Sequence, residues 1–118
     1  MYYVIKKRVE PYVLLETVKN SFEMRDFTFD GFNKETVKKE FLKTIEKSNS
    51  FGLYMKNVNK FYLFHSHTKI DILKLLIDKI GLTSSDFYST EDKEEPFRLV
   101  DNGKAEAAVI CRQSPDEI

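Results

Sequence analysis

Lys60-Phe61-Tyr62-Leu63-Phe64-His65-Ser66 is the stretch that decides the fold. In an extended chain successive side chains point to opposite faces. Phe61, Leu63 and His65 therefore share one face, and Tyr62, Phe64 and Ser66 share the other. Both faces carry aromatic and aliphatic groups, and such a strand lies inside a sheet or is covered on both sides. Just upstream, residues 51–56 (Phe51-Gly52-Leu53-Tyr54-Met55-Lys56) have the same β-favouring character. Asn57-Val58-Asn59 between the two suits a turn, because Asn tolerates positive φ. The pair reads as a hairpin in the middle of the chain.

Working outward, helical spacing appears on both sides. Over 33–47, Val37, Phe41 and Ile45, with Leu42 beside them, form an apolar stripe behind a capping Asn33. Lys39, Lys43 and Lys47 occupy the opposite face. Residues 48–50, all polar, end this helix. Further upstream, residues 2–9 read as a strand that Pro11 breaks. Leu14, Val18 and Phe22 then recur at helical spacing over 11–24. Phe27-Thr28-Phe29 alternates as a short strand before Asp30-Gly31. Downstream, Thr68-Lys69-Ile70-Asp71 is a capping box that opens a helix running to Gly81. Ile70, Leu73, Ile77 and Ile80 face inward, and Ile72, Leu75 and Leu76 widen the arc enough to meet more than one neighbour. Thr83-Ser84-Ser85-Asp86 is a second capping box and predicts a short helix over 83–90. An acidic loop over 91–95 leads through Pro96 to a strand at 97–100. Asn102-Gly103 then predicts a hairpin turn, with a returning strand over 105–112. The expectation is an α+β domain spanning 1–112, with a polar tail at 113–118. Its core is a mainly antiparallel sheet of about five strands with two or three helices packed on it.

Composition narrows the function classes. A chain of 118 residues is one domain's worth. Ten Phe and six Tyr give it a core, and nineteen basic against nineteen acidic residues leave no net charge, a composition unlike that of a disordered chain. The balance hides an asymmetry: bases exceed acids up to Leu82, and acids dominate after it. Cys111 is the one cysteine, which excludes a disulfide-bridged secreted scaffold. The opening Met1-Tyr2-Tyr3-Val4-Ile5-Lys6-Lys7-Arg8 places its charges after a very short apolar run, unlike a secretory leader. The most apolar neighbourhood, 70–80, is interrupted by Asp71, Lys74, Asp78 and Lys79, so no membrane span is expected. The implied location is a reducing, cytoplasmic compartment. Lys outnumbers Arg, and Ala occurs only at 105, 107 and 108, a usage that suits a low-GC bacterium or its phage.

Few residues suggest chemistry. The two histidines form His65-Ser66-His67, with alternation placing both rings on one face about 7 Å apart at the backbone. Two imidazoles so placed can share a metal ion. His65-Ser66-His67 followed by Asp78 resembles part of the JAMM family of zinc-dependent isopeptidases, in which two histidines and a downstream aspartate hold zinc and an upstream glutamate activates water. The resemblance spans residues 65–78. It departs from the family at Thr68, where Pro is usual, and at Leu75, where Ser is expected. Glu40 and Glu46 belong to a helix and do not supply the family's glutamate. A continuous helix over 68–81 also carries Asp78 about 15 Å from its start, away from both rings. Residues 73–90 resemble a helix-turn-helix, but Ser84-Ser85-Asp86-Phe87-Tyr88-Ser89 has no base, and Glu91-Asp92 would repel phosphate. Lys39, Lys43 and Lys47 form a row that could meet nucleic acid, or simply a solvated helix face. Cys111, with no adjacent base, reads as a small apolar residue in a strand.

No convergent catalytic set appears, and no cofactor is implied. The expectation is a small non-catalytic interaction protein that binds another protein, in the manner of an inhibitor, antitoxin, immunity protein or phage anti-defence factor. Its expected contact surface is Phe87, Tyr88, Glu91, Asp92, Glu94, Glu95 and Phe97, aromatics beside charge. The alternatives are a metal-dependent hydrolase centred on His65 and His67, and a nucleic-acid-binding domain.

Overall fold

In the computed structural model, residues 2–6, 9–20, 22–47, 50–55, 58–65 and 72–111 are described. The elements are β1 (Tyr2–Ile5), α1 (Pro11–Lys19), β2 (Glu23–Thr28), α2 (Lys34–Lys47), β3 (Ser50–Met55), β4 (Lys60–His65), α3 (Ile72–Ile80), β5 (Phe87–Thr90), α4 (Glu95–Asp101) and β6 (Ala107–Cys111), with a single 3-10 turn at Ser84–Asp86. The strands form one six-stranded sheet in the order β2-β4-β3-β6-β1-β5, and every neighbouring pair is antiparallel. The class is α+β as expected, with six strands and four helices among the described residues in place of about five and two or three.

Alternation along the strands makes two cores. Tyr3, Ile5, Phe51, Leu53, Met55, Tyr62, Phe64, Ala107 and Val109 face Leu14 and Val18 of α1 and Leu76 of α3. Val4, Tyr54, Phe61, Leu63, Ala108 and Ile110 face Phe41 and Ile45 of α2 and Phe97 and Val100 of α4. The sheet is thus the middle of three layers. A helix carries the chain back to the end it left, so each strand–helix–strand unit yields two strands running the same way. β1, β2 and β3 run in one direction, and β4, β5 and β6 in the other. Interleaving the two sets produces the antiparallel ladder, with the β3–β4 hairpin as the one reversal.

Phe61 is the hub of one core. Its ring centroid lies 4.7 Å from Phe29, 5.0 Å from Phe41 and Tyr54 and 5.7 Å from Phe97. Across the sheet Phe64 stacks on Phe51 at 5.2 Å, and Phe22 meets Phe51 edge-on at 5.0 Å. Gly52 of β3 lets α2 come this close. A Cβ there would fall on the Phe41 ring tip and 2.7 Å from Ile45 Cδ1.

Several expectations are corrected. The short helix over 83–90 is one 3-10 turn followed by β5. Half of the capping box forms: Asp86 Oδ2 accepts from Thr83 N–H at 2.8 Å, while the Asp86 amide donates to the Thr83 carbonyl rather than its hydroxyl. Phe87–Thr90 then pairs with β1 and the tertiary ladder overrides the local start. The strand at 97–100 is α4, with Pro96 in its first turn and Phe97 and Val100, three apart, buried on the sheet. The Asn102-Gly103 hairpin is the end of that helix. Gly103, at φ 75°, donates to Val100, and Lys104 donates to Leu99 at 2.9 Å, the paired bonds of a Schellman stop. Asn33 begins α2, but its side chain accepts from Asp30 N–H rather than capping the helix. The readings that involve 48–49, Asn57, the capping box at 68–71 and the tail at 113–118 lie outside the described residues.

Because the Phe41 ring occupies the space over Gly52, Gly52→Ala is expected to cost about 1–3 kcal/mol by overpacking. Gly31→Ala, which meets nothing within 4 Å, is expected to stay within about 0.5 kcal/mol. Urea unfolding of the two variants measures the difference.

Candidate functional site

The acidic segment follows β5, a sheet edge, and leads into α4. Strand alternation separates the aromatics expected to share a surface. Phe87 is half-buried and packs into the core under α1 and α3, whereas Tyr88 lies on the opposite face and is 40% exposed. Phe97 is only 2% exposed and belongs to the core under α4. Helix α4 turns it inward, where a strand would have left a choice of faces. Glu91 and Asp92 are exposed. Glu95 accepts from the Tyr88 hydroxyl at 2.7 Å and from Thr90 Oγ1 at 3.3 Å. The Glu95 bond, followed by its charge, raises the Tyr88 pKa above the ordinary 10.0. Glu94 pairs with Lys38 at 2.7 Å. The surface that remains is Tyr88, Glu91 and Asp92, although Asp92 Oδ1 also accepts from the Glu94 amide at 2.9 Å, with Glu94 and Glu95 turned to internal bonds.

Between α2 and α4 lies a polar cluster that the sequence did not reveal. Lys38 is 5% exposed. Its ammonium meets Glu94 at 2.7 Å and Glu35 at 3.0 Å, and sits 5.1 Å above the Phe97 ring. One turn earlier, Lys34 bonds Asp101 at 2.8 Å and the Tyr54 hydroxyl at 2.9 Å, while that hydroxyl donates to Asp101. Burial pulls both lysine pKa values down. The bonds to Glu94 and Glu35 at Lys38, and to Asp101 and Tyr54 at Lys34, outweigh it and leave both raised. Burial first, and then the bond to Asp101, raise Tyr54. A general base works best with a pKa near the working pH, and these shifts move the opposite way. The cluster joins two helices. Among the described residues, no buried side-chain polar atom lacks a hydrogen-bond partner. The available signal was Lys34 and Lys38 at i, i+4 on the flank of the apolar stripe, a position where long stems bury and heads emerge.

The remaining candidates do not converge. His65 ends β4, half-buried, on the Phe61 and Leu63 face. Asp78 is exposed on α3, which packs on the other face, so the structure does not bring these two together. His67 lies outside the described residues. Among those described, no group of three or more His, Cys, Asp or Glu is placed to hold a metal. Lys39 and Lys43 are exposed on α2, but Glu35, Glu40 and Glu46 are exposed on the same helix and break up the positive row. Cys111 closes β6, paired with Phe51. Phe32, absent from the expected set, is fully exposed on the loop before α2, where Asp30 Oδ1 accepts from the Phe32 and Asn33 amides.

No helix among the described residues is long and apolar enough to cross a membrane. No family model matches the chain, and no curated protein or solved structure matches it significantly.

The raised pKa values fix a sign for alkaline pH. In the window above the ordinary values of 10.0 for Tyr54 and 10.5 for Lys34 and Lys38, the native state keeps protons that the unfolded chain has released. Their stabilisation is complete below that window and disappears as pH rises through the folded values. Urea midpoints measured in a pH series are expected to fall from about pH 10 upward. Lys38→Met, whose former partners Glu35 and Glu94 can turn to water, is expected to fall less steeply.

Proposed function

We propose that this chain is a non-catalytic binding module that captures another protein in the cytoplasm through the corner formed by Tyr88, Glu91 and Asp92. It would act as inhibitors, antitoxins, immunity proteins or phage anti-defence factors act, by occupying a partner. The observation that carries this reading is the exposed Tyr88 ring, held by Glu95 and set beside two exposed carboxylates. A large aromatic in a fixed orientation next to charge has the chemistry of an interface anchor, and fixing it beforehand lowers the entropy lost on binding. The polar cluster between α2 and α4 supports the same reading, since its groups are committed to one another and Lys34, Lys38 and Tyr54 have pKa values raised further from neutrality.

Glu94 and Glu95 are poor places to test this, because their charges hold Lys38 and Tyr88. The suitable variants are Glu91→Lys with Asp92→Asn, which keeps an acceptor for the Glu94 amide, and separately Tyr88→Ala. Immobilised protein is exposed to a bacterial lysate, and the retained proteins are compared between forms. At least one protein retained by the wild type is expected to be lost from both variants and kept by Glu16→Lys, a charge reversal on the exposed side of α1. Identical retention by all forms rejects the corner as the contact surface.

A further inference from the structure

We infer that the partner binds by adding an extended segment to the open edge of β5, and that this segment carries Lys or Arg where it passes Glu91 and Asp92. The inference rests on the binding-module reading and names the mode of capture and the chemistry of the partner. Two strands end the sheet. β2 is guarded: three of its six residues, Glu23, Arg25 and Asp26, are charged and exposed, and charges on an edge discourage further pairing. β5 reads Phe87-Tyr88-Ser89-Thr90 and has no charge at all. Among the described residues it pairs only with β1.

The phase of the ladder shows which groups remain open. Lys6 N–H donates to the Asp86 carbonyl at 2.9 Å, and the register continues Ile5 with Phe87, Val4 with Tyr88, Tyr3 with Ser89 and Tyr2 with Thr90. In an antiparallel pair, hydrogen-bonded and non-hydrogen-bonded positions alternate. Tyr88 and Thr90 therefore bond inward to β1, and the amides and carbonyls of Phe87 and Ser89 face outward. Those four groups are what an incoming strand pairs with, the recognition mode known as strand addition.

Charge selects the occupant. Glu91 and Asp92 stand exposed where the strand ends, and a segment continuing past Thr90 runs beside them. A second copy of this chain is the wrong partner. Residues 82–92 contain no Lys or Arg, so no antiparallel register of β5 on itself brings a cation to either carboxylate. The register centred on Ser89 sets Asp86 against Asp92. A basic, otherwise uncharged extended segment meets both requirements.

The test uses the full chain, labelled with 15N, and two synthetic peptides. One alternates Val and Thr over six residues with two lysines at each end; the other has glutamates in place of the lysines. The lysine peptide is expected to bind and to slow hydrogen exchange at the Phe87 and Ser89 amides. Ser89→Pro, which removes an outward N–H and no β1 bond, and Ser89→Lys, which guards the edge if the proline variant does not fold, are each expected to abolish that protection. Glu91→Gln with Asp92→Asn is expected to weaken binding about tenfold. Binding near Tyr88 without protection of the two amides, and unaffected at Ser89, overturns strand addition while leaving the acidic corner as a contact surface. Equal binding of both peptides, failure of the lysine peptide to bind, or concentration-dependent dimers abolished by Ser89→Lys each overturn the basic partner.

Discussion

Phe61 and Phe64 lie three residues apart on β4, point to opposite faces of the sheet, and are both fully buried. Full burial of one phenylalanine ring is worth roughly 1.5–3 kcal/mol relative to leaving it in water, so neither face of the central sheet can be left bare. Two roofs follow, one from α1 and α3 and the other from α2 and α4. Strands joined by a helix run the same way, the β3–β4 hairpin reverses the chain once, and the sheet becomes antiparallel by interleaving the two sets. The lower roof sits close because β3 offers Gly52 where another residue would push Phe41 away. The rims of the sheet, β2 and β5, lie outside this double burial, and the exposed residues there are the ones left for other work.

That constraint was legible in the sequence because it is local. The stretch 60–66 carried the two-faced pattern, and the stripe of Val37, Phe41 and Ile45 carried the helix opposite. What escaped was non-local or ambiguous. Phe97-Arg98-Leu99-Val100 fits both periods: Phe97 and Leu99 alternate as in a strand, while Phe97 and Val100 repeat as in a helix. Only packing on Tyr54 and Phe61 decides between them. Asn102-Gly103 is equally two-valued, because the left-handed glycine that closes a hairpin also closes a Schellman stop. At 83–90 the carboxylate half of the capping box forms, but four residues of β-favouring sequence found β1, some eighty positions away, and propensity yielded to pairing.

The candidate site divides along the same line. Exposed charge at Glu91 and Asp92 is a property of composition and could be read directly. The fates of Phe87, Tyr88 and Phe97 depend on which face each element presents, and a strand followed by a helix scatters three neighbouring aromatics over two cores and one surface. Lys34 and Lys38 escaped for a related reason. The sequence marks Lys39, Lys43 and Lys47 as a row by spacing, whereas burial acts on the lysines at the flank of the stripe, whose stems lie along apolar rings and whose ammonium groups meet α4.

These two parts meet in the first turn of α4. Glu94 and Glu95 are consecutive, yet the first bonds Lys38 on α2 and the second bonds Tyr88 on β5. A buried ammonium is costly to leave unpaired, so Lys38 holds Glu94 in place and with it the start of α4. The turn that is held in this way presents the Glu95 carboxylate to the edge strand, where it fixes the Tyr88 hydroxyl. An aromatic anchor on a sheet rim would ordinarily lose side-chain freedom on meeting a partner. On the binding-module proposal, that freedom is already restricted by a tether running from the core through two adjacent glutamates, and the rigidity of the α2–α4 joint would preorganise the proposed surface.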